Sequence, residues 1–186
     1  GSDAPVGLVL DVQQRLEGGQ VWTYRETVER AASTQVLGRI GTISIPWQPQ
    51  HGDLIVHKVE ILRGAERIDL VKGGTPFTVL RREQQLSQRI LDGVLTATMP
   101  VEGLRVGDLL RVVVSTTLKD ATLKGRIQSA APLIFLPART GYARARVMWP
   151  KESDIRWQAG DGAARTPVEA GGDKELSIIG PLPKLP

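Results

Sequence analysis

The chain has 186 residues, a formal net charge of +4 and no cysteine. The absence of sulfhydryl groups excludes disulfides, thiolate nucleophiles and cysteine-ligated zinc sites. Basic and acidic residues are interspersed and aromatic residues make up only 4% of the sequence, so a nucleic-acid-binding surface is not indicated. No apolar run approaches the roughly 20 residues that span a bilayer. A chain of this length is nevertheless able to bury a sizeable core.

The two ends of the chain are predicted to lie outside the folded domain. Gly1 and Ser2 resemble the remnant of a cleaved tag, and residues 1–6 are predicted as a flexible start. The last six residues, PLPKLP at 181–186, are predicted as a proline-rich linker toward a downstream domain. Residues 7–180 are therefore expected to form one domain.

Alternation of side chains with a period of two predicts strands in the first part of the chain. In residues 21–30, Trp22 and Tyr24 fall on one side, and Thr23 and Arg25 on the other. Further strands are predicted at 43–47, 54–62, 67–70 and 77–82, with a turn at 63–66. The early part of the chain therefore reads as consecutive β structure.

The remaining segments extend the β pattern. Residues 82–91 fit both a strand and a short helix, and a strand is favoured. The β-branched run at 109–114 follows a turn at Gly107 and Asp108 and is predicted to be central to a sheet. Other strands are predicted at 95–99, 133–136, 142–149, 154–158, 165–169 and 175–179. The spacing favours an all-β fold, a large antiparallel β-sandwich of roughly a dozen strands.

Only two histidines, His51 and His57, are available for acid–base chemistry. His57 alternates with Ile55 and Val59, which predicts a hydrogen-bonded histidine on an apolar strand face. His51 precedes Gly52 in a loop, and a turn accounts for it as well as an exposed site does. Neither histidine therefore predicts a catalytic triad.

Other chemical motifs are also weak. Pairing His57 with Glu60, or His51 with Asp53, does not give the spacing of zinc ligands. The acidic residues lie mostly in turns or alternate outward on strands, which does not indicate a glycosidase pair. The glycines occur as isolated turn residues, without a Walker-type loop or a Rossmann fingerprint. We therefore predict no catalytic residue, no metal site and no cofactor.

Three tryptophans are the candidate binding residues. Trp47, Trp149 and Trp157 lie near the ends of predicted strands, where an indole can stack on a sugar or grip a peptide. Packing in the core, or contact with another domain, is the alternative explanation for the same three residues.

Four segments suggest a family when they are read in order. They are YRETV at 24–28, IVHKVEILRG at 55–64, RILDG at 89–93 and LRVGDLL at 104–110. Their order and spacing resemble the DUF3857 domain, a bacterial family found at the amino-terminal side of transglutaminase-like domains. The resemblance covers residues 21 to about 157, and the chain departs from it at 63–65, where an Asp-Gly turn is more typical.

The resemblance implies a β-sandwich located outside the cytoplasm, in the periplasm or another extracytoplasmic compartment. It implies no known activity, and the Cys, His and Asp of a transglutaminase have no counterpart here. We therefore predict a non-catalytic accessory domain that positions or presents substrate to a transglutaminase-like domain downstream on the same polypeptide. The alternative is a module that binds an extended peptide or cell-wall carbohydrate through Trp47, Trp149 or Trp157.

Overall fold

The structure is a computed structural model that describes residues 6–74, 76–81, 93–119, 124–130, 140–158 and 166–180. These residues form eleven strands and one helix. The first strands are β1 (Gly7–Glu17), β2 (Gln20–Arg30), β3 (Thr42–Trp47), β4 (Leu54–Arg63), β5 (Glu66–Asp69) and β6 (Thr78–Arg81). The others are β7 (Leu95–Pro100), β8 (Leu109–Leu118), β9 (Thr140–Pro150), β10 (Val168–Ala170) and β11 (Asp173–Ile179). The helix is α1 (Thr34–Ile40).

Eight strands form one large sheet in the order β10-β11-β9-β1-β2-β8-β4-β5. Its neighbouring strands are antiparallel except β1 and β9, which run parallel. The prediction of a purely antiparallel fold is therefore wrong at this pair. A parallel pair needs a long connection between its strands, and the rest of the domain supplies one between β1 and β9. The prediction that residues 109–114 are central is confirmed, because β8 lies between β2 and β4.

The second sheet, β3-β7-β6, packs on one side of the large sheet. Ile43 and Met99 of the small sheet share a buried cluster with Val59, Ile61 and Leu110 of the large sheet. Ile61 is 1% exposed, so the contact between the layers is dry at its centre. We call this side of the large sheet the apolar face, and the fold is thus predominantly β with two layers.

A second cluster lies on the apolar face near the other end of the strands. Leu16 and Val21 are opposite each other in the β1–β2 pair, and both pack with Trp149 of β9. Ile155 and Leu176 cover this cluster from the side. The first strand is therefore anchored to the carboxyl-terminal part of the described chain.

Two tight turns position β4 and β8. Gly64 has a φ of 59°, a conformation that glycine adopts without steric cost, in the two-residue turn between β4 and β5; this confirms the predicted hairpin. Before β8, Asp108 accepts hydrogen bonds from Arg63 Nε at 2.9 Å and from the Arg105 amide at 2.8 Å. The bond from Arg63, supported by that amide, lowers the pKa of Asp108 below its ordinary value.

Several predicted elements differ from the structure. Strand β1 and helix α1 were not predicted, and residues 154–158 are irregular, so the strand predicted there is wrong. The chain turns after β9, where the Ser153 amide donates to the Pro150 carbonyl and the Ile155 amide to the Ser153 carbonyl. The predictions for residues 1–5, 82–92, 131–139 and 181–186 lie outside the described residues. Within the described ranges, no helix is long and apolar enough to cross a membrane.

Candidate binding face

The side of the large sheet opposite the apolar face carries polar and charged side chains, and we call it the polar face. Strand pairing sets these side chains in rows across the sheet: Asp11 lies opposite Glu26 of β2 and Arg144 of β9. The polar face includes Asp11, Gln13, Arg15, Trp22, Tyr24, Glu26, His57, Glu60, Arg111, Ser115, Arg144, Arg146, Met148, Asp173 and Glu175. Two buried valines, Val28 and Val113, lie on the same side, opposite Arg111 and Glu26.

One ion-pair network crosses β1, β9 and β11. The Asp11 carboxylate accepts from Arg144 Nε at 2.9 Å, from Arg144 Nη2 at 2.5 Å and from Gln13 Nε2 at 3.0 Å. Arg146 Nη2 donates to Glu175 Oε2 at 2.6 Å. Hydrogen bonding to Asp11 raises the pKa of Arg144, as expected for a charge-assisted bidentate pair. These bonds fix the planes of both arginine side chains.

A second network crosses β2, β8 and β4. Glu26 accepts from Arg111 Nε at 2.8 Å through one oxygen and from the Tyr24 hydroxyl at 2.8 Å through the other. Arg111 Nη1 also donates to Glu60 Oε2 at 3.2 Å. Burial, supported by the bond to Glu26, raises the pKa of Tyr24 to about 12. The phenol is therefore a neutral donor at ordinary pH.

The charges of the two networks nearly cancel. Every basic side chain that takes part is paired with at least one carboxylate. The basic members are Arg15, Lys58, Arg111, Arg144 and Arg146, and the acidic members are Asp11, Glu17, Glu26, Glu60, Asp173 and Glu175. The described part of the polar face is therefore close to neutral and differs from a basic patch that binds phosphate.

A shallow depression of about 440 Å³ lies in the middle of the polar face. One row across the sheet places Arg15 between Met148 and Trp22. The next row places Tyr24 between Gln13 and Ser115. Trp22 is 45% exposed, so part of its indole ring is open to solvent. The depression is lined by Gln13, Arg15, Trp22, Tyr24, Ser115 and Met148.

His57 lies on the polar face, so the prediction that it belongs to an apolar face is wrong. A register shift between Val56 and Lys58 interrupts the pairing of β4 with β8, and a bulge of this kind reverses the side to which later residues point. Ile55 is accordingly exposed and Val59 is buried. The predicted hydrogen bond is confirmed, because His57 Nε2 lies 2.8 Å from Ser115 Oγ.

The loop of His51 is a backbone turn. The His51 amide donates to the Gln48 carbonyl at 3.0 Å, and the His51 carbonyl accepts from the Lys119 amide at 2.6 Å. A Cβ on Gly52 would lie 1.8 Å from the Thr117 carbonyl oxygen, so the chain needs glycine here. Among the residues that the structure describes, no group of three His, Asp or Glu side chains is placed to hold a metal ion.

The three tryptophans proposed from the sequence lie in different environments. Trp47 ends β3 and, with Thr23 among others, lines a groove of about 350 Å³. Trp149 is 2% exposed and packs with Leu16 and Val21, so its indole is a core group and is closed to a ligand. Trp157 is 39% exposed and follows β9. The structure thus does not unite these residues in one site.

Sequence reasoning missed Trp22 as a candidate. The signal was present, because Trp22 and Tyr24 alternate onto the same side of a predicted strand. An indole paired with a phenol on one strand face is a stacking surface when that face is open to solvent. Only the position of the small sheet, on the apolar face, shows which side is open.

Comparisons with known proteins agree on the fold. A family model for DUF3857, described as a domain of unknown function with a solved structure, matches residues 17–180. No curated protein matches the chain. A crystal structure of a "putative protease" from Parabacteroides distasonis superposes with a TM-score of 0.70 at 10% sequence identity. That match covers 93% of this chain and 34% of the Parabacteroides chain, so this chain spans about a third of the length of that protein.

Proposed function

We propose, because this chain belongs to the DUF3857 family, that it is a non-catalytic accessory domain. In this proposal it holds a substrate on its polar face for a transglutaminase-like or protease-like domain of the same polypeptide, in the periplasm or another extracytoplasmic compartment. The observation that carries the proposal is the aromatic depression set among side chains that are already paired. Such a surface binds a ligand without supplying reactive groups.

The most reactive arrangement on the polar face is the contact between His57 and Ser115. A serine nucleophile needs a base and also hydrogen-bond donors aimed at the developing oxyanion. Ser115 lies inside β8, which is hydrogen-bonded to β2 on one side and β4 on the other, so its backbone is committed to the sheet. The contact is therefore better suited to holding the two side chains in place than to catalysis.

The length relation to the Parabacteroides protein supports a multidomain context. The match leaves about two thirds of that chain outside the superposed region. A domain that occurs within a longer polypeptide is well placed to raise the local concentration of substrate beside a neighbouring domain. In this way the domain would position substrate for its neighbour.

The proposal is tested on the complete polypeptide that carries this chain. Trp22→Ala is expected to raise KM for a polymeric substrate about tenfold, corresponding to the loss of about 1.4 kcal/mol of binding. The kcat for a small soluble substrate is expected to stay unchanged, because the reacting groups lie in another domain. Trp157→Ala, which also removes a partly exposed indole, serves as the matched control.

Three results would contradict the proposal. The first is that the complete polypeptide contains no enzyme domain, which would favour a free-standing binding module, a second candidate that rests on the same depression. The second is a KM for the polymeric substrate that Trp22→Ala leaves unchanged. The third is turnover of a peptide or glycosidic bond by the 186-residue chain alone, abolished by His57→Ala or Ser115→Ala.

A further inference from the structure

We infer that the depression on the polar face binds a neutral oligosaccharide. This inference rests on the proposed function and names the part of the substrate that the face would hold, namely a glycan carried by the peptide on which the neighbouring domain acts. The carrying observation is the juxtaposition of Trp22 with Arg15 and Tyr24.

Charge excludes a polyanionic ligand. Among the described residues that line the depression, Arg15 is the basic one. It already donates to Asp173 at 2.5 Å and to Glu17 at 2.7 Å. The hydrogen bond to Asp173 is the main reason why the pKa of Arg15 is raised. A second anion would have to compete with two carboxylates for the same guanidinium. The depression therefore favours a ligand without net charge.

The lining combines an apolar plate with a polar rim. Trp22 and Met148 offer an exposed indole and a polarisable thioether, which suit the C–H side of a sugar ring. Gln13, Tyr24 and Ser115 offer amide and hydroxyl groups, which donate to and accept from sugar hydroxyls. A ligand with one apolar face and a ring of hydroxyls matches both parts of this lining.

The position of the depression disfavours an extended peptide. Its lining side chains come from β9, β1, β2 and β8, and each of these strands has a neighbour on both sides. A peptide added as a strand needs a free sheet edge, so only side chains are available for recognition here. Four strands at about 4.8 Å spacing give a row about 14 Å wide, which accommodates a short linear oligosaccharide.

The polar side chains are held in place before a ligand arrives. Glu26 holds the Tyr24 hydroxyl, and His57 holds Ser115. The Tyr24 oxygen keeps its acceptor capacity in this arrangement, and the Gln13 amide keeps one N–H that is not used by Asp11. Preorganised groups lower the entropy cost of binding. A low cost matters for a sugar, because each of its hydroxyl contacts contributes little binding energy.

Isothermal titration of the 186-residue chain tests the inference. The probes are β-1,4-linked hexasaccharides of glucose and of N-acetylglucosamine, with polygalacturonate and an unstructured decapeptide for comparison. We expect saturable binding of at least one neutral hexasaccharide, weakened at least tenfold by Trp22→Ala. Trp22→Tyr, which keeps an aromatic ring, is expected to retain most of the affinity, and Trp157→Ala is expected to change it less than twofold.

Each other result overturns the inference. These results are no binding of either hexasaccharide, binding of only polygalacturonate or the peptide, and sugar binding that Trp22→Ala leaves intact. An unchanged thermal unfolding midpoint shows that Trp22→Ala is folded. If the peptide binds through Trp22, the inference fails and the proposed accessory role stands; if the chain itself cleaves the sugar, the accessory role fails and the sugar site stands.

Discussion

The two faces of the large sheet are built from the same strands by opposite chemistry. Along β8, Leu110 and Val114 point to the buried apolar face, whereas Arg111 and Ser115 point to the polar face. The second sheet covers the first side, and networks of ion pairs stabilise the other. The period of two in β8 thus places the side chains that contact the second sheet on one side and those that take part in the polar networks on the other.

The two faces are expected to contribute differently to the free energy of unfolding. Full burial of an isoleucine or valine side chain contributes about 1.5–3 kcal/mol. An ion pair that is open to water contributes about 0–1 kcal/mol, because water screens both charges. Asp11 is 6% exposed, so its pair with Arg144 should contribute more than an exposed pair. Most of the free energy of unfolding should therefore come from the apolar face. Substitutions on the polar face should accordingly destabilise the domain less.

The largest effect is expected on the apolar face. Ile61→Ala removes a side chain that is 1% exposed between the two layers and should lower the free energy of unfolding by about 2–5 kcal/mol. Ile179→Ala makes the same change at a position that is 62% exposed and should change it by less than about 0.5 kcal/mol. Denaturant-induced unfolding measures both values. Equal losses would mean that the layers are not packed as described.

A smaller loss is expected from the polar face. Asp11→Asn keeps the shape of the side chain but removes the charge that pairs with Arg144. It also turns an amide N–H toward the N–H groups of Arg144 and Gln13, which now donate to the carboxylate. We expect the free energy of unfolding to fall by about 1–3 kcal/mol. Asp154→Asn, at an exposed carboxylate outside the sheets, is the control and should be nearly neutral. If added salt abolishes the difference, the Asp11 pair behaves as a surface pair.

Local sequence pattern predicted most of the strands, because hairpins such as β4–β5 depend on neighbouring residues. It did not predict the pairing of β1 with β9, which brings together distant parts of the chain. Leu8, Leu10 and Val12 do alternate in β1, yet nothing local shows that this strand lies between two others. The partner of a strand is a property of the whole fold.

The candidate site was harder to predict than the fold. Period-two alternation placed His57 with buried residues because it cannot anticipate the bulge between Val56 and Lys58. Closeness to a strand end selected Trp149, which the second core cluster buries, and passed over Trp22. Exposure depends on which face the small sheet covers, and the sequence of one strand carries no information about that contact.

The smallest effect concerns a proton on the polar face. Burial and the bond to Glu26 raise the pKa of Tyr24 from about 10 to about 12. Folding therefore favours the neutral phenol, and the stabilisation is fully present below about pH 10 and is lost as the pH rises through 12. Alkaline titration by phenolate absorbance should show a step near pH 12 that Tyr24→Phe removes. Glu26→Gln should lower the Tyr24 midpoint only in part, because burial is the larger cause of the raised pKa. A midpoint that falls back to about 10 in Glu26→Gln would mean instead that the hydrogen bond is the larger cause and that water reaches Tyr24 more freely than described.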